Sequence, residues 1–314
     1  MTARKIVALA GGVGAARFLQ GLAQIVNPRR IFVVGNTADD AEIQGLHISP
    51  DLDTVTYTLA GMANPKTGWG IKGDTFRCLE CLKALGADAW FLLGDRDLAT
   101  HIYRTRRLRE GATLSEVTRE IVSALKVECA IVPMSDDTVR TRIGTPRGEL
   151  EFQTYFVKHR TRDRVTGIRF EGAATATPAP GVLDAIANAE GIILCPSNPF
   201  ISIGPILAIP GIRETLSANH ERVVAVSPIV GGRAIKGPTA TMMQTLGMPV
   251  TAAEVAKLYS DFVGVFVLDE ADRKYAPAVT ALDMRPVVAK TVMHGMAQKK
   301  ALARVVVREL GIRA

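Results

Sequence analysis

The chain has 314 residues, 47% of them hydrophobic and 22% charged, and carries a net charge of +7. That composition excludes a disordered or fibrous chain, and the length suits one large domain or two smaller ones. Its four cysteines are too few to staple a secreted fold of this size, and no apolar run approaches the roughly 20 residues of a membrane span.

The positive balance favours anionic partners, and nucleotides or phosphates satisfy it as well as nucleic acid does. The arginine-rich stretches at 103–109 and 158–162 lack the interleaved aromatics of a base-stacking surface. They read as solvated basic faces, so no nucleic-acid partner is expected. Near the start, Arg4-Lys5 precedes an apolar run of only five residues, 6–10, too short for a secretory segment. The protein is expected to be cytoplasmic, with no membrane partner.

In chain order, residues 5–10 read as a buried parallel strand, apolar throughout. Gly11-Gly12-Val13-Gly14 follows, then a helical pattern over 15–25 and a second strand over 31–34 ending in Gly35-Asn36-Thr37. This is one strand–helix–strand unit. Ser49 and Pro50 open a helix as cap and first-turn proline. Asp74 is expected to cap a helix that ends before Gly86. That helix contains Cys78-Leu79-Glu80-Cys81, which has no partner pair and sits away from a helix start, so a metal or redox role is disfavoured. Residues 89–93 read as a short strand ending in Gly94-Asp95-Arg96-Asp97. Thr113 and Glu116 form a capping box for a helix reaching 125, and 129–133 read as a strand.

The period then changes. Residues 139–143 and 149–157 flank a five-residue glycine–proline loop as an antiparallel hairpin. Residues 135–172 are therefore expected to form a small inserted α+β region, with 1–134 and 173–314 making the core. The alternation resumes with a helix over 181–189, strands over 191–194, 222–227 and 263–268, and an amphipathic helix over 297–310. The fold class is α/β: a doubly wound, Rossmann-like, mostly parallel sheet.

In such a sheet, ligands bind beyond the carboxyl ends of the strands. Gly11, Gly12 and Gly14 would let a phosphate approach the backbone at a helix N-terminus. The turn lacks the Walker lysine and serine, and Arg17 stands where a dinucleotide fold would carry its third glycine. Asn36 replaces the ribose-binding acid of that fold, which disfavours NAD. Asp51 and Asp53 open a helix. Compensating the helix dipole explains them at ~0.3–1 kcal/mol each, and their oxygens also suit Mg²⁺. Asp95 with Asp97, and Asp136 with Asp137, repeat the pattern at other loops of the same sheet edge. Such repetition points to a metal and phosphate site. Ser197, Asn198 and Ser202 follow a later strand, and Lys236 with Gly237 follow the next; all suit phosphate or ribose. No nucleophile elbow or zinc motif occurs. The five histidines are scattered and read as structural or exposed, with His47 and His101 the two near motif loops.

Taken together, Ser49-Pro50-Asp51-Leu52-Asp53-Thr54, Leu93-Gly94-Asp95-Arg96-Asp97 and Ser197-Asn198-Pro199 through Ser202-Ile203-Gly204-Pro205 resemble the 2-phospho-L-lactate transferase family of coenzyme F420 biosynthesis. Cys195 departs from it, where a glycine is expected. The resemblance covers most of the chain and implies a Mg²⁺-dependent transferase of the phosphotransferase class. It would move a phospho-acid group (phospholactate, phosphoenolpyruvate or phosphoglycerate) from a guanosine-diphosphate-linked donor to the ribityl hydroxyl of the deazaflavin precursor Fo, releasing GMP. It implies a homodimer. It implies acceptor contacts near Asp53, Leu92, Asp95 and Arg96, and a donor over Gly11, Gly12, Gly14, Asn36, Ser197, Asn198, Ser202, Lys236 and Gly237. Asp51 and Asp53 are then the expected metal-binding and catalytic pair. A related group of nucleotide-sugar-binding regulators shares the fold without transferase chemistry. The stretch from Leu93 to His101 and the chain length favour the transferase.

Overall fold

Seven parallel strands form the central sheet of the computed structural model, which describes residues 4–312. In chain order they are β1 (Ile6–Ala10), β2 (Ile31–Gly35), β3 (Ala130–Pro133), β4 (Gly191–Leu194), β5 (Val223–Val226), β6 (Val265–Asp269) and β7 (Arg285–Ala289). Their spatial order is β7-β6-β5-β4-β1-β2-β3. The architecture is the expected Rossmann-like α/β one. Strands β1, β4, β5 and β6 are buried at every position, because helices cover both faces. That double cover is why they read as unbroken apolar runs. Successive side chains serve opposite faces: Val7 and Leu9 join one core with Ile192 and Phe266, while Ile6 and Ala8 join another with Phe18, Leu22 and Val306.

β1 is flanked by β2 on one side and β4 on the other, so the winding reverses there. The chains leaving β1 and β4 diverge and leave a crevice at the strand ends. Helix α1 (Gly12–Leu22) starts directly at the glycine turn, with Gly11 extended at its N-cap. It begins and ends three residues before the expected span. Helix α2 (Pro50–Leu59) has Ser49 at its cap position and Pro50 in its first turn. The Ser49 hydroxyl does not cap; it donates to Asp40 at 2.7 Å.

Two helices on the first-half edge exchange caps. Helix α3 spans Arg77–Ala84 and α4 spans Asp95–Arg109. Asp95 accepts from the amides of Arg77 and Cys78, at 3.1 and 3.0 Å, and so caps α3. Asp74, expected to cap α3, instead accepts from Arg96 and Asp97 at 2.8 and 3.1 Å and caps α4. Both cysteines of α3 are exposed and free. Helix α5 (Leu114–Ala124) carries the expected capping box of Thr113 and Glu116.

The strand expected over 89–93 is absent. This stretch is an irregular link outside the sheet, in which Phe91 and Leu92 line a cavity, Leu92 is 45% exposed and only Leu93 is buried. The edge strand β7, by contrast, was not expected, because Arg285 and Pro286 interrupt its apolar pattern. In the region 135–172, Arg140–Thr145 pairs antiparallel with Gly148–Glu151 and with Gly167–Glu171. The second arm of the hairpin stops at Glu151. Phe152 and Tyr155 are spaced for a helical turn and bury against Ile143, Val165, Ile201 and Met242. Among the described residues no helix is long and apolar enough to cross a membrane.

The two halves of the core meet where Gly14 passes the loop after β4. A Cβ on Gly14 would lie 2.1 Å from the Pro196 carbonyl oxygen. Gly14→Ala is therefore expected to destabilise the fold by about 1–3 kcal/mol, the usual range for overpacking. Urea denaturation checks this; an unchanged midpoint would show that the two loops can separate without cost.

Candidate active site at the strand switch point

The crevice between β1 and β4 deepens into a cavity of about 520 Å³, within the range of small-molecule sites. Its base joins the glycine turn to the loop after β4. The Ser197 hydroxyl donates to the Gly11 carbonyl at 2.9 Å and accepts from the Gly11 amide at 3.4 Å. Asn198 accepts from the amides of Phe200 and Ile201, shaping the turn that carries Ser202 to the cavity. Asn36 does not line the cavity. It is buried and donates to Asp51 at 2.9 Å and to the Ile201 carbonyl at 3.1 Å, while accepting from the Ala38 amide. Asn36 thus ties β2, α2 and the second-half loop together. An aspartate there would repel Asp51.

Three carboxylates gather behind this turn. Asp51 is half-buried, and Asp39 and Asp40 are buried. Asp40 accepts from Ser49 and sits 2.9 Å from His47 Nε2. One oxygen each of Asp39 and Asp40 is buried with no hydrogen-bond partner. Burial pushes the Asp51 carboxyl up to about 6, opposed by its Asn36 hydrogen bond and helped by Asp40. Burial and then the Asp51 charge push Asp39 well above the ordinary carboxylate range. Both Asp39 and Asp51 line the cavity. Among the described residues no cluster of three or more metal-ligating side chains is assembled. Mg²⁺, however, commonly takes one or two carboxylates and completes its shell with water and substrate phosphates. The Asp39–Asp51 pair, with its orphaned oxygen, fits that pattern.

Asp53 does not share that arrangement. Its carboxylate is gripped from both sides by the guanidinium of Arg104, with Nη1 at 3.1 Å from Oδ2 and Nη2 on Oδ1. Arg104 belongs to the stretch expected to form a solvated basic face, yet it is only 1% exposed. The pair is bidentate and desolvated, which fixes Asp53 in place. His101 lies beside it, with Nδ1 3.3 Å from Arg104 Nη1 and Nε2 3.2 Å from Asp97 Oδ1. The Tyr57 hydroxyl donates to Asp97 at 2.7 Å. Burial opposes ionisation of Asp97, but the His101 and Tyr57 contacts outweigh it and hold its carboxyl below the ordinary range. Asp97, His101 and Arg104 fall at intervals of four and three along α4, and so share one helix face. That spacing is the signal that locates them, and the scattered-histidine reading overlooked it for His101.

The remaining expected residues divide. Leu92, Lys236 and Gly237 line the cavity. Asp95 and Arg96 do not: Asp95 is spent on the cap of α3 and on the Thr75 hydroxyl, and Arg96 reaches the Lys72 carbonyl at 3.3 Å. Nor do Asp136 and Asp137, which accept from Ser115 and Thr177 and order their own loops. A short hairpin of Ile229–Val230 and Arg233–Ala234 carries Lys236 out over the glycine turn. There its ammonium donates to the Thr67 carbonyl at 2.7 Å. The far wall is apolar and aromatic: Trp69, Phe91 and Leu92 from the first half, with Phe152 and Phe156 stacked 5.3 Å apart from the antiparallel region.

The chain matches the sequence profile of the family described as 2-phospho-L-lactate transferase CofD over residues 6–307. It is 41% identical over 303 residues to the 2-phospho-L-lactate transferase of Methanosarcina mazei, covering 96% of this chain and 99% of that protein. It is 43% identical over 306 residues to the phosphoenolpyruvate transferase of Streptomyces griseus, covering 96% of both. Among solved structures, a UPF0052-family protein from Bacillus halodurans superposes with a TM-score of 0.64 at 15% identity, covering 98% of this chain and 99% of that one; it shares the fold.

Removing one member of the buried pair is expected to cost far more than removing both. Arg104→Met leaves Asp53 charged and unpaired, for a loss of about 3–5 kcal/mol. Adding Asp53→Asn to that variant should recover most of the loss in urea denaturation. If the single and double variants unfold at one midpoint, the pair does not carry this charge balance.

Proposed function

Because the chain belongs to the 2-phospho-L-lactate transferase CofD family, we propose that it transfers a phospho-acid group from a guanosine-diphosphate-linked donor to the ribityl hydroxyl of Fo and releases GMP. The acid is phospholactate, phosphoenolpyruvate or phosphoglycerate; the curated relatives named above carry the first two in their names. The observation that carries this reading is the single cavity reaching from a glycine turn at a helix N-terminus, past paired carboxylates, to an aromatic wall. One end suits phosphates, the other a flat conjugated ring, and the carboxylates lie between them.

In the reaction the ribityl oxygen attacks the phosphorus bearing the acid. The bond from that phosphorus to the bridging oxygen breaks, and the electron pair leaves with GMP. Such transfers demand alignment and charge neutralisation more than covalent chemistry. Asp39 and Asp51 would hold Mg²⁺, which when bound supplies positive charge to the phosphate oxygens. Asp53 does not join Asp51 as a metal ligand, because the Arg104 cation already lies against its carboxylate. Asp53, oriented by Arg104 and lining the cavity, accepts the hydrogen bond of the attacking hydroxyl and takes its proton as the new bond forms. The Asp97–His101–Tyr57 cluster supports Asp53 and Arg104 from the side of α4. Phe91 and Leu92, with Phe152 and Phe156, hold the deazaflavin ring. A homodimer working in the cytoplasm completes the proposal.

Incubating the protein with Mg²⁺, Fo and each of the three donors should release GMP with at least one of them. No GMP from any donor would overturn the transferase assignment for these substrates. Asp53→Asn is expected to lower turnover by about 10²-fold or more, the low end of a lost acid–base partner. Turnover within threefold of the parent would remove Asp53 from the reaction.

Metal binding has its own readout. Mg²⁺ should raise the unfolding temperature, because a ligand held only by the folded state stabilises it. Asp51→Asn and Asp39→Asn should each abolish that increase. Retention of the full increase in both would place the metal elsewhere.

A further inference from the structure

We infer that Arg17 is a positioning residue for the donor's pyrophosphate, closing on it together with Lys236 as a two-sided cationic clamp above the glycine turn. The inference rests on the donor proposed above and adds a residue to it.

Arg17 lies on α1 three residues after Gly14, so the two share one helix face. It occupies the place where a dinucleotide-binding fold carries a glycine for close packing. Here the side chain turns toward the cavity and lines it. Lys236 arrives from the other half of the chain and lines the same end. These two are the only lysine or arginine side chains among the described lining residues. The acidic lining residues, Asp39, Asp51, Asp53 and Asp97, all come from the first half. Lys236 is thus the only charged lining residue that the second half supplies among the described residues.

Neither cation is neutralised. The one fully buried arginine among the described residues, Arg104, is paired with Asp53. Arg17 forms no ion pair among the described residues, and Lys236 rests on a neutral carbonyl. The two also repel each other: burial and then the Arg17 charge push the Lys236 ammonium below its ordinary range. Lys299, on the helix Met296–Glu309, is affected in the same way. Like charges gathered at a cavity wall cost free energy that an anion placed between them removes. A nucleoside base or ribose would not relieve that cost; a polyphosphate does. Arginine adds planar donors that match phosphate oxygens in pairs, a geometry lysine lacks.

During transfer the bond between the bridging oxygen and the acid-bearing phosphorus breaks, and negative charge collects on the departing phosphate. The proton of the attacking hydroxyl goes the other way, to Asp53. Arg17, on the helix that starts at the glycine turn, is placed to receive the charge on the departing phosphate.

The test is calorimetric titration of the full-length protein with inorganic pyrophosphate and, separately, with guanosine, in Mg²⁺. Arg17→Gln is expected to weaken pyrophosphate binding by on the order of tenfold, as losing a charged hydrogen-bond partner does, and to leave guanosine binding within about twofold. Arg17→Lys should fall between the parent and Arg17→Gln. Unchanged pyrophosphate affinity in Arg17→Gln overturns the clamp. So does an equal loss of guanosine binding, which would mean a collapsed cavity, and so does a parent protein that binds no pyrophosphate. The two readings separate cleanly. Loss of pyrophosphate binding in Arg17→Gln, with no GMP released by the parent, keeps the clamp and removes the proposed reaction. Normal GMP release with intact pyrophosphate binding in Arg17→Gln removes the clamp alone.

Discussion

Contact between two backbones organises this protein. The glycine turn after β1 and the loop after β4 approach so closely that Gly14 has no room for a side chain beside Pro196. Ser197 then bonds to both backbone groups of Gly11. Asn36 extends the link to α2 and to the Ile201 carbonyl. Because β1 and β4 are neighbours at the point where the winding reverses, this contact also defines the base of the cavity. The polar groups of the site are therefore fixed by the same packing that joins the halves of the sheet.

Charge within the site is sorted by what each carboxylate meets. Asp53 meets a guanidinium that fixes its orientation, and it still lines the cavity. Asp95 and Asp74 meet helix amides and are settled as caps. Asp39 and Asp51 meet no cation, only neutral donors, each other and Asp40, and their carboxyls are pushed upward by burial. Aspartates that look alike in the sequence thus divide into structural and ligand-facing groups according to the partners that folding supplies. A buried carboxylate without a partner is costly enough that its persistence points to a cation or proton from outside the chain.

The strands of the doubly covered sheet were legible because burial on both faces leaves an unbroken apolar run, as in β1, β4 and β6. The glycine turn and the Ser197–Ser202 loop were legible for a related reason: both follow such strands directly. Two kinds of feature were not. The stretch at 89–93 has the apolar content of a strand, but that content serves a cavity wall, and periodicity cannot separate the two. Arg104 sits in a run of arginines whose average character is solvated; only the approach of α2 to α4 reveals which one is buried. The long-range partner Asp53 lies 51 positions earlier, and nothing local records it. The exchange of caps between Asp74 and Asp95 escaped notice for the same reason, since each residue acts on the helix it does not adjoin.

The contact between Lys236 and the Thr67 carbonyl belongs with another, the seating of Gly68 against Val13, where a Cβ would fall 2.5 Å from the valine side chain. Together they lay the segment from Asn64 to Gly70 across the glycine turn. The same segment also serves the aromatic end, where Trp69 lines the cavity with one face open to solvent. One short stretch of chain therefore touches both ends of the cavity, Gly68 seated on the turn and Trp69 at the aromatic wall, so a change in its length or sequence would be felt at both ends together.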